Sequence, residues 1–70
     1  MKNRIRSLRK NLGYRQEDMA NELGVTRQTI NAIENEKYNP TLELAMRLAK
    51  LLRTSVEDLF ILEDGKPRGH

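Results

Sequence analysis

The regular pattern of this chain is broken at a few points, and those breaks limit what it can fold into. Gly13, Gly24 and the loop-like NEKYNPT stretch around Pro40 cut it into short segments, and within each segment apolar residues recur three, four or seven positions apart. That period is helical, and glycine is the residue that enters a left-handed turn without steric cost. Ile5, Leu8 and Leu12 predict a first amphipathic helix over residues 2–12, ended by Gly13, with Arg9 at the edge of its apolar stripe. Met19, Ala20 and Leu23 give a second helix over residues 16–23, with Glu17 and Asp18 in the first turn, where the helix dipole favours negative charge. Thr26 is a good cap for a third helix running to about Asn35, and Thr41 caps a fourth after the proline, over residues 42–52.

The fourth segment is unusually apolar. Leu42, Ala45, Leu48, Ala49 and Leu52 form one stripe, and Leu44, Leu48 and Leu51 form another beside it, which implies two packing surfaces. Ser55, with Asp58 three residues on, opens a fifth segment containing Val56, Leu59, Phe60, Ile61 and Leu62. Residues 61–63 are open between an extension of that helix and a short strand paired with the N-terminal residues. The expected architecture is all-α, a compact five-helix domain over residues 1–62 with a flexible tail over residues 63–70.

At 70 residues such a domain buries only about 60% of the surface that its unfolded chain exposes, so its core must be tight or completed by a partner. There is no cysteine, hence no disulfide and no thiolate metal site, and the single histidine is the terminal His70. Ser7 and Ser55 have no histidine base nearby and no carboxylate pair is clustered, so neither enzymatic activity nor a cofactor is expected. No run approaches the roughly 18 apolar residues of a membrane span, and the expected location is the cytoplasm. Charge is unevenly placed. Lys2, Arg4, Arg6, Arg9, Lys10 and Arg15 stand in the first 15 residues without an acid, whereas residues 43–64 hold five acids against three bases. One basic end is the asymmetry expected of a protein that meets a polyanion from one side.

The second and third segments read as a unit. A small residue, Ala20, lies four before the turn glycine, Gly24, and a branched apolar residue, Ile30, lies six after it. This is the pattern of a helix-turn-helix: Ala20 lets the helices cross closely while Ile30 and Ile33 pin the second one. On a 100° wheel the two isoleucines face inward, and Gln28, Asn31, Ala32 and Asn35 face outward, with Arg27 at the exposed first turn. That face is free of acids and carries the amide and guanidinium groups that make bidentate contacts with adenine and guanine edges. Glu34 falls on the core side, where a lone charge is costly, and Arg9 is its expected partner.

The stretch QEDMANELGVTRQTINAIENEKYNP, continued by SVEDLF, resembles the Cro/lambda-repressor-like (XRE) helix-turn-helix regulators, in particular their short single-domain type. The resemblance spans roughly residues 3–62. It implies a lambda-repressor-like domain whose third helix enters the major groove of double-stranded DNA. Arg27, Gln28, Asn31 and Ala32 match base-facing positions; Gln16, Asn35, Lys37 and Tyr38 match phosphate-contacting ones; Arg9 and Glu34 match a structural ion pair. Three positions depart from the family pattern. Arg15 replaces a small capping residue and offers a further phosphate contact, Glu36 replaces a frequent glycine so that Asn35 is expected to turn left-handed, and Arg53 replaces the glycine that often ends the fourth helix.

The apolar excess predicts a homodimer joined through Leu44, Leu51, Val56, Leu59, Phe60, Ile61 and Leu62, acting as a repressor on a pseudo-palindromic site. The competing reading is an antitoxin-like interaction module whose apolar surface holds a protein partner and whose DNA binding is autoregulatory.

Overall fold

A computed structural model describes residues 1–62 of the chain. Five helices follow the expected breaks: α1 Ile5–Asn11, α2 Gln16–Leu23, α3 Arg27–Glu34, α4 Leu42–Leu51 and α5 Val56–Leu59. A two-residue strand flanks them at either end, β1 Lys2–Asn3 and β2 Phe60–Ile61.

The caps are those of the sequence. Thr26 Oγ1 accepts the N–H of Thr29 at 3.1 Å, Thr41 Oγ1 that of Leu44 at 3.2 Å and Ser55 Oγ that of Asp58 at 3.1 Å. Each satisfies a backbone donor left unpaired at a helix start. Arg15 has no side-chain oxygen to offer, and α2 is instead anchored by the Asp18 carboxylate, which accepts the Arg15 backbone N–H at 2.9 Å. Gly24 sits at φ 70°, and the Val25 N–H bonds back to the Ala20 carbonyl at 3.0 Å, so the chain reverses in a tight turn. Ala20, only 3% exposed, is the small residue that lets α3 approach α2. Ile5, Met19, Ile30, Ile33, Leu48 and Leu59 fill the centre, which places one residue or more from every helix in a single core.

Several expectations are corrected. The first helix begins at Ile5 rather than residue 2, because the Asn3 side chain accepts the Ile5 N–H at 3.1 Å while Lys2 and Asn3 pair antiparallel with Ile61 and Phe60. Asparagine favours such local capping over helix, and the β-prone Phe60 and Ile61 supply the partner strand. The strand alternative is therefore the one adopted at the C-terminal end; Glu63, the tail over residues 63–70 and His70 lie outside the described residues. Glu36, not Asn35, takes the left-handed position after α3, at φ 64°, and Arg53 does the same after α4 at φ 60°. Leu42 does not join the core stripe of α4 but is 71% exposed. Leu59, expected at an intersubunit surface, is 0% exposed in the chain's own core, and Leu44 and Leu51 are half-buried against that core. The spare apolar surface of α4 is on its other side, at Leu42 and Met46, the latter 55% exposed. Among the described residues no helix is long and apolar enough to cross a membrane.

Candidate nucleic-acid interface

The turn at Gly24 and the burial of Ile30 and Ile33 decide which face of α3 looks outward. Arg27, Gln28, Asn31 and Asn35 are exposed, and Ala32 is half-buried at the edge of that face. Arg27, Gln28 and Asn31 line one shallow cleft together with Gln16 from the start of α2. Guanidinium and amide groups thus converge on a surface with no acid among its lining residues. A row of donors that can pair bidentately is what the floor of a major groove can satisfy.

The one acid on α3 is turned away and neutralised. The Glu34 side chain is 0% exposed and accepts Arg9 Nε at 2.7 Å, Arg9 Nη2 at 3.2 Å, Gln16 Nε2 at 3.0 Å and Arg6 Nε at 3.3 Å. Burial alone would raise the pKa of this carboxyl, but the hydrogen bonds from Arg9 and Gln16, the Arg9 charge and the Arg6 bond outweigh it, and the net shift is downward. Arg9 Nη1 also donates to the Tyr14 carbonyl at 3.1 Å, which fixes the α1–α2 connection to the same knot. No buried side-chain nitrogen or oxygen among the described residues lacks a partner. The knot ties α1, α2 and α3 together, so the outward face of α3 is held by charge as well as by the core.

The remaining expected phosphate contacts differ in how they are held. Arg15 is exposed and bonds Asp18 at 3.4 Å, an arrangement that holds the Asp18 carboxyl below its usual pKa, first through the Arg15 backbone N–H and then through its side chain. Lys37 is exposed just past the end of α3. Asn35 is exposed but engaged, accepting Arg6 Nη2 at 2.9 Å and donating to Asn31 Oδ1 at 3.1 Å. Gln16 is half-buried with its amide nitrogen on Glu34. Tyr38, 47% exposed, lines a different depression with Leu23, Val25 and Thr29, apart from the cleft that holds Gln16.

Two residues escaped the sequence reading. Arg6 is the second arginine on Glu34, and the signal was available, because it lies one turn before Arg9 on the same side of α1. Asn3 donates Nδ2 to the Ile33 carbonyl at 2.9 Å and so docks the N-terminus against the end of α3; nothing in its local sequence distinguishes it from an ordinary cap.

Compared with known proteins, residues 5–59 match the model of a family described as helix-turn-helix. The chain is similar to an uncharacterised HTH-type transcriptional regulator of Methanothermobacter thermautotrophicus, 54% identical over 93% of this chain and 97% of the relative. A similarly named protein of Methanocaldococcus jannaschii is 50% identical over 91% of this chain and 97% of its own length. The HTH-type regulator YgzD of Bacillus subtilis is 45% identical over the same shares, 91% and 97%.

Proposed function

The chain belongs to the XRE-type helix-turn-helix family of transcriptional regulators, and we propose that it works as a homodimeric repressor that reads a pseudo-palindromic operator with α3. The observation that carries this reading is the outward face of α3, where Arg27, Gln28 and Asn31 stand exposed together while the only acid of the helix is buried under two arginines. In this role Arg27 and Gln28 make the bidentate base contacts, Asn31 adds a base contact through its amide NH2, and Ala32 permits close approach. Arg15, Gln16, Asn35, Lys37 and Tyr38 contact the phosphates that set register.

Dimerisation uses the apolar face left open on the side of β2. Met1, Leu42, Met46, Ile61 and Leu62 are 45%, 71%, 55%, 37% and 74% exposed, and Met1, Leu42, Val56 and Phe60 line one groove. A small monomer rarely leaves this many large apolar side chains exposed beside an open apolar groove, and a second copy across a two-fold axis would cover them. Two α3 helices would then meet successive major grooves about 34 Å apart. Where the operator overlaps a promoter, a dimer seated on it would exclude polymerase, and repression would follow. Sedimentation equilibrium with and without a selected duplex tests the assembly: the reading expects a dimer mass free and two chains per duplex. A monomer at every concentration, which instead captured an unrelated small protein on the same face, would favour the antitoxin-like reading.

A further inference from the structure

The bonds around Asn31 have a direction, and a single residue sets it. Asn31 and Asn35 are one turn apart on α3, and Asn35 Nδ2 donates to Asn31 Oδ1 at 3.1 Å. An amide pair of this kind is equally satisfied with both groups reversed, since each side chain offers a carbonyl and an NH2. Arg6 removes that freedom. Its Nη2 lies 2.9 Å from Asn35, and a guanidinium has only donors, so Asn35 must turn its carbonyl to Arg6 and its NH2 to Asn31. Arg6 is itself held by its Nε bond to Glu34 at 3.3 Å, within the buried charge knot. The carbonyl of Asn31 is thereby committed along the helix, which leaves its NH2, without a protein partner among the described residues, as the free group of a side chain that lines the cleft with Arg27 and Gln28.

We propose that Arg6 is a specificity-determining positioning residue: acting through Asn35, it fixes the Asn31 amide so that Asn31 presents a donor and selects a base edge carrying an acceptor. Purine N7, guanine O6 and thymine O4 fit that donor, whereas cytosine shows only its N4 amino group in the major groove and is disfavoured. The inference rests on the DNA-reading role proposed for α3.

The test compares binding-site selection from randomised duplexes for the parent protein, Asn31→Ala, Arg6→Ala, Arg6→Lys and the Arg6→Ala/Asn31→Ala double variant. Side-chain amide NMR spectra of each free protein run alongside. The Arg6 side chain is 51% exposed and Arg9 and Gln16 still hold Glu34 without it, so Arg6→Ala is expected to fold. The parent disfavours cytosine at the position whose preference Asn31→Ala abolishes. Arg6→Ala loses about tenfold discrimination at that position alone, Arg6→Lys, which keeps a donor, retains it, and the double variant loses no more than Asn31→Ala. In the free protein, Arg6→Ala moves or broadens the Asn31 amide resonances. Uniform weakening on all sequences with that preference intact, or an unmoved Asn31 amide, overturns the proposal. A parent protein that enriches no motif overturns the DNA reading itself and this inference with it, an outcome separable from the first.

Discussion

Replacing Glu34 by alanine removes the group on which four donor bonds converge. Arg9 would keep its place, since its side chain is only 10% exposed and its Nη1 remains on the Tyr14 carbonyl, but its charge would be left without a counter-ion in the interior. Breaking a buried pair from one side costs about 3–5 kcal/mol, and the partial access of Arg6 to water argues for the lower end, about 3 kcal/mol. A domain of this size has roughly 4–10 kcal/mol of total stability, so the variant should melt about 12–24 °C below the parent protein. Circular dichroism melts and urea titrations measure both quantities. Replacing the pair together, with Arg9→Met and Glu34→Leu, should recover most of the loss, because no uncompensated charge then remains. Acid provides an independent reading. The folded pKa of Glu34 lies below its unfolded value, so its contribution is complete above the usual carboxylate range and is lost as pH falls through the folded value. Parent and Glu34→Gln should differ clearly in stability at neutral pH and converge in strong acid. A Glu34→Ala melt indistinguishable from the parent's would mean that the knot contributes nothing to holding α3.

Other substitutions separate reading, anchoring, strain and assembly. Arg27→Ala should relax base preference and cost about 1–3 kcal/mol on the selected site, whereas Lys37→Ala should weaken all duplexes alike and reduce the salt slope by about one unit, both measured by fluorescence anisotropy at several salt concentrations. Glu36→Gly should raise stability by about 1 kcal/mol in urea titrations, because a left-handed residue at φ 64° is relieved of its Cβ. Phe60→Asp, half-buried at the edge of the open apolar face, should shift sedimentation from dimer to monomer and weaken operator binding far more than expected of a residue that does not line the α3 cleft; a dimer retained by both Phe60→Asp and Met46→Asp would reject this face as the contact.

The helices were legible because each carries its own signal: threonine and serine caps, the glycine turn, and apolar residues at helical spacing whose inward face the fold then uses. The orientation of α3 could be read for the same reason, since Ile30 and Ile33 leave its polar side only one direction. What escaped depends on contacts distant in sequence. That Lys2 and Asn3 leave α1 follows from a strand that lies 57 or more residues away, and no local pattern in MKN announces it. On α4 the stripe of Leu42, Ala45, Leu48, Ala49 and Leu52 is buried except for Leu42, which stays 71% exposed. Leu44 and Leu51 are half-buried against the shared core while Leu42 and Met46 are exposed, a difference set by packing with elements distant in sequence. Arg6 was missed as a single charge in a basic run, although its spacing from Arg9 places it over the same acid.

If the outward face of α3 reads base edges from two symmetric copies, Gln28 is the residue to probe, because it is exposed in the cleft and takes no part in the Glu34 knot. Binding-site selection from randomised duplexes with the parent protein and with Gln28→Ala is the decisive measurement. The expected result is an inverted repeat with half-site centres about 10 base pairs apart, and in the variant a loss of preference at one position in each half-site, the two related by the two-fold axis. An unchanged consensus in the variant, or a parent consensus without an inverted repeat, would contradict it.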